Sequence, residues 1–237
     1  MNKRENIQAS DRLIVALDVP EAEDARALVD RIGEHAGFYK IGLELFMSGG
    51  AFELLDWLKQ KDKQVFVDLK FFDIPATVAR AVSRLNGSGA KFVTVHGNDS
   101  MMQAAAEAAQ DVDVLAVTVL TSLDRGDLDD LGFSCDVDEL VLSRATRAVQ
   151  NGCAGVVASG REAQAIREAV GDKLLIVSPG IRPVDNRSDD QKRMVTVPQA
   201  FANGADYIVV GRPVRDAQDP ARAAAEIQAQ IAAAVGT

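Results

Sequence analysis

Three charged residues close an apolar run in Val65-Phe-Val-Asp-Leu-Lys-Phe-Phe-Asp-Ile-Pro75. The run is of the kind that makes a buried parallel strand. Residues two apart on a strand share a face, so Asp68 and Lys70 are expected to point the same way. Phe71-Phe72 then carry the chain out of the strand, and Asp73 falls in the turn. Pro75 suits the first position of a following helix, where a missing N–H costs nothing. Two carboxylates and an ammonium at the mouth of a buried strand are costly to desolvate, so they imply a use. With an acidic residue on each side in sequence, Lys70 is expected to keep its proton. That suits a cation or proton donor and argues against a Schiff-base nucleophile, which needs a neutral amine.

The elements that must hold these charges follow one pattern. Short runs rich in Val and Ile each precede a longer amphipathic segment. Leu13 to Val19 precedes Glu21 to Ile32, Phe38 to Ile41 precedes a helix near Gly50 to Lys61, and Gln64 to Lys70 precedes a helix from Pro75. Phe92 to His96 precedes Ser100 to Gln110, and Leu115 to Leu120 precedes a loop and a helix around Val137 to Gln150. Gly155 to Ala158 precedes a helix from Arg161, and Leu174 to Val177 precedes a long loop and a short helix near Pro198 to Asn203. Tyr207 to Val210 precedes Pro220 to Val235. Eight β-then-α units predict a TIM (β/α)8 barrel of the α/β class. A doubly wound open sheet is the alternative, but it usually has fewer strands and a switch point. No Gly/Ser or Pro linker divides the chain, so residues 1–237 are expected to form a single domain, with about residues 1–10 as an N-terminal extension. The Ala-rich stretch from Ala223 to Ala234 reads as a small-residue helix packed on the barrel, and Trp57 as helix packing.

Composition excludes several function classes. A net charge of −9 disfavours a general attraction to nucleic acid or anionic membrane, so an anionic ligand needs a local cluster of donors. Cys135 and Cys153 have no metal-ligand spacing and read as free thiols of a reducing cytoplasm. The N-terminus has no apolar signal core, and no run approaches the ~18 apolar residues of a membrane span.

In such a barrel the C-terminal strand ends build the site. Asp18 falls at the end of strand one, Lys40 on strand two, Asp68 and Lys70 on strand three with Asp73 beyond, and His96 on strand four. Thr121-Ser122, Ser159-Gly160, Ser178-Pro179-Gly180 and Gly211-Arg212 fall at the remaining ends. Lys40, Asp68, Lys70 and Asp73 sum to zero charge, as a low-dielectric site requires. A structural salt-bridge network at the rim is the competing account for any one of them. The loops after strands seven and eight form a phosphate cradle in many barrels. Here they offer Gly180, Arg182 and Gln191, then Gly211-Arg212. Glycine lets backbone N–H groups approach an anion, and Arg binds two phosphate oxygens at once. The segment from Pro179 to Thr196 is long and charged, and reads as a mobile lid. Two histidines, His35 and His96, cannot make a His-rich metal site, and His96 reads as structural. Neither a P-loop nor a Gly-x-Gly-x-x-Gly fingerprint is present.

Asp68-Leu-Lys-Phe-Phe-Asp-Ile-Pro-Ala-Thr77 closely resembles the signature of the orotidine 5′-monophosphate decarboxylases of bacteria. The likeness extends over nearly the whole chain, through Val15-Ala-Leu-Asp18, Lys40-Ile-Gly, Val117-Thr-Val-Leu-Thr-Ser122, Pro179-Gly-Ile-Arg-Pro183, Asp190-Gln191 and Val209-Val-Gly-Arg-Pro213. The short Asp-x-Lys-x-x-Asp motif is shared with sibling barrel enzymes. Its combination with Pro-Gly-Ile-Arg-Pro and Gly-Arg-Pro-Val is specific to the decarboxylase. Many bacterial members carry histidine where Phe72 stands and asparagine where Ala76 stands, positions outside the family's chemistry.

The resemblance implies a homodimer of TIM barrels, without metal or organic cofactor, that converts orotidine 5′-monophosphate to UMP and CO2. That is the last step of de novo pyrimidine synthesis. It implies that Lys70 protonates C6 as CO2 leaves, that Asp68 lies by the substrate carboxylate, and that Lys40 and Asp18 hold the ribose hydroxyls. Thr121, and with it Ser122, matches the base-recognition position, and Pro179 packs near the base. Gln191, Arg182, Gly211 and Arg212 hold the phosphate, with Gln191 closing over the base. Ile74 is a further substrate-binding position, and Asp73 and Thr77 act in the neighbouring subunit's site, so that the motif is split between two pockets. Two other readings stay open. One is a sibling sugar-phosphate enzyme working through a metal-stabilised enediolate; the other is a silent barrel that binds UMP without turnover.

Overall fold

In the computed structural model, which describes residues 4, 7–181 and 194–236, eight parallel strands close into a barrel in chain order. They are β1 (Leu13–Ala16), β2 (Phe38–Gly42), β3 (Gln64–Phe71), β4 (Ala90–His96), β5 (Asp113–Val117), β6 (Gly155–Val157), β7 (Leu175–Ser178) and β8 (Tyr207–Val210). Pairing of β1 with β8, Ile14 opposite Val209, closes the ring. Around it stand α1 (Ala22–Ile32), α2 (Leu43–Met47), α3 (Ala51–Gln60), α4 (Pro75–Ser83), α5 (Asp99–Ala108) and α6 (Arg125–Asp130). They are followed by α7 (Val137–Gln150), α8 (Ala163–Val170), α9 (Val197–Ala202), α10 (Arg212–Arg215) and α11 (Pro220–Val235).

Strand alternation sorts the side chains into two cores. Val15, Tyr39, Val67 and Val93 face the helices, in the larger cluster. Ile14, Phe38, Phe66, Phe92, Leu115, Leu175 and Tyr207 face inward and fill the barrel. The aromatic members interlock, with Phe92 ring centroids 5.2 Å from both Phe38 and Tyr207 and 6.0 Å from Phe66. This layer plugs the N-terminal half of the barrel. Truncating one of these rings to Ala would cost about 3–5 kcal/mol. Two residues further along β2 and β3 the same inward face carries Lys40 and Asp68. The plug is therefore the floor on which the charged residues stand. At Gly155 the wall is so tight that a Cβ would lie 2.5 Å from the Leu175 carbonyl oxygen, so only glycine fits.

Helix starts follow local chemistry. Asp136 and Glu139 form a reciprocal capping box on α7, as do Thr196 and Gln199 on α9. Pro75 stands in the first turn of α4, as the sequence predicts. The segment expected to be only a loop before α7 contains α6, nucleated by an Asp124/Asp127 capping box. Two of the expected strand ends are also shorter. β1 stops at Ala16, which leaves Asp18 in the following loop. β5 stops at Val117, and just beyond it the Thr118 N–H and hydroxyl both donate to the Val157 carbonyl of β6.

The opposite end of the barrel is locked by a buried carboxylate. Asp206, fully buried, accepts from Arg4 Nε at 2.6 Å, Arg167 Nη2 at 2.9 Å and the Ile176 N–H at 2.8 Å. Arg12 donates to its carbonyl at 3.0 Å.

Candidate active site

At the C-terminal end of the barrel the aromatic floor gives way to an open cavity of about 900 Å³, counting its mouth. Asp18, Lys40, Asp68, Lys70, Thr121, Pro179, Gly211 and Arg212 all line it, with Val117, Val157 and Val209 as an apolar wall. A concave cleft that combines an apolar wall with convergent polar groups is the form of a small-molecule site.

Its floor is a chain of ion pairs. Lys70 Nζ donates to Asp68 Oδ2 at 2.8 Å, and Lys40 Nζ lies 3.6 Å from the same oxygen. Lys40 also donates to Asp18 Oδ1 at 3.0 Å. The other Asp68 oxygen accepts from the Thr94 hydroxyl at 2.9 Å. Burial works to raise the Asp68 pKa, but Lys40 and Lys70, with the hydrogen bonds from Lys70 and Thr94, outweigh it and hold the carboxyl below the ordinary aspartate range. A dianionic partner set and two cations thus balance within one chain: Asp18, Lys40, Asp68 and Lys70.

Asp73, which the sequence groups with Lys40, Asp68 and Lys70 and assigns to the neighbouring subunit's pocket, stands apart from them within one chain: it is exposed, and its Oδ1 accepts from the Ile74 N–H at 2.7 Å. Asp73, Ile74 and Thr77 are not among the described residues that line the cavity. Ser122 is exposed at the rim. Arg182 and Gln191 lie outside the described residues. Of the expected phosphate cradle, Gly180, Gly211 and Arg212 stand together on one side of the mouth.

The geometry of β3 also departs from simple alternation. Lys70 adopts φ +49°, in the left-handed region, and the pairing of β3 with β4 slips between Val67 and Phe71. The Lys70 N–H donates to Thr94 Oγ1 at 3.0 Å. Thr94 thus grips Lys70 by its backbone and Asp68 by its carboxylate. A non-glycine residue in this conformation costs of order 1–3 kcal/mol, and such strain concentrates at functional positions.

Two contributors escaped the sequence reading. Thr94 has a visible signal, a hydroxyl inside the otherwise apolar Phe92-Val-Thr-Val95 of a buried strand. Arg215 lines the cavity from α10 and donates to the Asp18 carbonyl at 2.8 Å. His96, half-buried, packs edge-on against Phe72 with centroids 5.1 Å apart. Its pKa is pushed down by burial and by the charges of Arg144 and Lys70. Among the described residues no three His, Cys, Asp or Glu side chains group as a metal site requires. The two carboxylates of the cavity face lysines instead.

Residues 11–227 match the family described as Orotidine 5'-phosphate decarboxylase / HUMPS family. The chain is 64% identical over 226 residues to the orotidine 5'-phosphate decarboxylase of Methylococcus capsulatus, covering 95% of this chain and 93% of that protein. It is 55% identical over 231 residues to that of Xanthomonas campestris pv. campestris, covering 97% and 95%. The crystal structure of orotidine 5'-phosphate decarboxylase from Lactobacillus acidophilus superposes with a TM-score of 0.83 at 33% identity, covering 93% of this chain and 99% of that one. With the family matched across the whole barrel and the charged floor in place at its mouth, this chain belongs to the orotidine 5'-phosphate decarboxylase / HUMPS family.

Proposed function

We propose that this protein decarboxylates orotidine 5′-monophosphate to UMP and CO2 without metal or organic cofactor, as the last step of de novo pyrimidine synthesis in the cytoplasm. The observation that carries the reading is the Lys70–Asp68–Lys40–Asp18 chain on the cavity floor, in a chain so similar to decarboxylases of that name.

Loss of CO2 from the pyrimidine leaves an electron pair at C6 in the plane of the ring, where no π-system delocalises it. A fixed ammonium at that point stabilises the developing charge before any solvent need reorganise, commonly the largest single contribution to catalysis. Lys70 supplies the ammonium and then its proton, which forms the C6–H bond of UMP. The lowered pKa of Asp68 keeps a carboxylate 2.8 Å from the Lys70 ammonium. Asp68 lies where the departing carboxylate is held, and Lys40 balances its charge. Asp18 and Lys40 hold the ribose hydroxyls, and Thr121 and Pro179 flank the base. Gly211 and Arg212 take the phosphate together with Arg182 and Gln191, which lie outside the described residues. Phosphate binding, remote from C6, supplies energy that stabilises the transition state indirectly.

The active form is a homodimer. Leu43, Met47, Phe72 and Ile74 are exposed apolar side chains on the loops and short helix at this end of the barrel, with Met47 78% and Ile74 67% exposed. A monomer has little reason to leave them uncovered. Asp73 and Thr77 sit beside them and complete the neighbouring subunit's pocket. The test is to mix purified protein with orotidine 5′-monophosphate in EDTA and follow loss of the orotate-type ultraviolet absorbance. Turnover under chelation supports the reading. Absence of turnover would overturn it, and metal-dependent turnover of a sugar phosphate instead would point to the sugar-phosphate branch of the family.

A further inference from the structure

The cavity floor is held from behind by a residue pair on α10 and its C-terminal end. Arg215 and Asp216 face each other as a two-pronged pair, Nε to Oδ1 at 2.5 Å and Nη2 to Oδ2 at 2.9 Å. Such a fork fixes the plane of a guanidinium, which a single contact does not. The plane so fixed aims the remaining nitrogen, Nη1, at the Asp18 carbonyl at 2.8 Å. Asp18 has left the β1 ladder and stands in a loop. Its side chain reaches Lys40 at 3.0 Å, and Lys40 reaches Asp68. Arg215 therefore holds the backbone of Asp18, the cavity aspartate that, among the described residues, stands outside a strand.

We propose that Arg215, oriented by Asp216, is a positioning residue for Asp18 and thereby sets how strictly the pocket reads ribose hydroxyls. This rests on the nucleotide reading above, in which Asp18 holds those hydroxyls. Two features argue for positioning over direct phosphate binding. The fork spends two of the guanidinium's directions on Asp216 and a third on Asp18. The adjacent carboxylate also cancels most of the charge an anion would feel. Lysine cannot reproduce the arrangement, because an ammonium has no fork to lock against Asp216.

A site built to hydrogen-bond a hydroxyl rejects the analogue that lacks it, and the rejection depends on sub-ångström placement. The experiment compares binding of UMP with that of its 2′-deoxy and 3′-deoxy analogues by calorimetry. The proteins are the wild type, Arg215→Met, Arg215→Lys and Asp216→Asn. Wild-type protein is expected to prefer UMP over at least one deoxy analogue by about 10-fold or more. In Arg215→Met and Arg215→Lys that preference should fall to roughly 3-fold or less, through weaker UMP binding with the affinity for that analogue unchanged. Asp216→Asn should fall between, and it carries the same test if Arg215→Met does not fold. An unchanged preference in folded variants would overturn the inference. So would equal weakening of all three nucleotides, which would mark Arg215 as a phosphate ligand. Wild-type protein that binds all three alike would overturn the hydroxyl-reading role of Asp18 and this inference with it. Wild-type protein that binds none would overturn the nucleotide reading itself.

Discussion

Lys70 reaches Asp68 across a kinked strand: its ammonium lies 2.8 Å from Oδ2, while its own backbone stands at φ +49°. Thr94 on the next strand fixes both ends of this relationship, accepting from the Lys70 N–H and donating to the Asp68 carboxylate. The strand distortion and the ion pair are therefore one feature, and the hydroxyl of Thr94 is its pivot. Thr94→Val should remove both hydrogen bonds at almost constant volume. It leaves a buried N–H and a carboxylate oxygen unsatisfied, which costs about 1–3 kcal/mol each. We expect a lower denaturation midpoint and a kcat reduced at least about 10-fold, measured on the folded protein. An unchanged kcat would separate the strand distortion from catalysis.

Acid stability follows from Asp68. Its folded pKa is depressed, so its contribution is fully present above the unfolded value of about 3.9 and is lost as pH falls through the folded value. Denaturant titrations from pH 7 downward should therefore show stability falling below about pH 4. Asp68→Asn should flatten that limb, because the amide does not titrate. A wild-type and variant difference that stays constant with pH would contradict the assignment.

A shared site predicts rescue between two inactive proteins. Lys70→Ala and Asp73→Ala each lose one part of every pocket in their own homodimers. In a mixed dimer both lesions fall in one pocket and leave the other whole. Equal mixing with full exchange should restore about a quarter of wild-type activity. No recovery, with exchange demonstrated by a tagged subunit, would place Asp73 elsewhere.

At the far end of the barrel, Asp206→Ala should act on stability alone. It strips a fully buried carboxylate from Arg4 and Arg167 and leaves Arg167, among the described residues, with Asp172 as its acidic neighbour at 3.9 Å. Breaking one side of a buried pair costs about 3–5 kcal/mol. The urea midpoint should drop while kcat of the folded fraction stays within about 2-fold of wild type. A selective loss of kcat would mean that the two ends of the barrel are coupled.

Much of this was legible before any coordinates. The eight apolar runs are spaced so that each becomes a strand, and the inward alternation Phe38–Lys40 and Phe66–Asp68 carries charge onto the floor directly above the aromatic plug. The rest escaped for physical reasons. A left-handed residue such as Lys70 has no signature when it is not glycine or asparagine. That Asp18 joins Lys40 at the cavity floor depends on where the loop after β1 points, and periodicity says nothing about loops. Arg215 lies 197 residues from the carbonyl it holds, a distance only the closed barrel abolishes. Thr94 was the one missed residue with a local sign, a hydroxyl in the otherwise apolar stretch from Phe92 to Val95.

Proton delivery to C6 by Lys70 is put to the test by Lys70→Ala. The variant should keep its fold and bind UMP within about 10-fold of wild type, because the ribose and phosphate contacts remain. Its turnover of orotidine 5′-monophosphate should fall by at least about 10³-fold, since it loses both the charge at the carbanion and the proton that quenches it. A Lys70→Ala protein that decarboxylates at close to the wild-type rate would contradict the account.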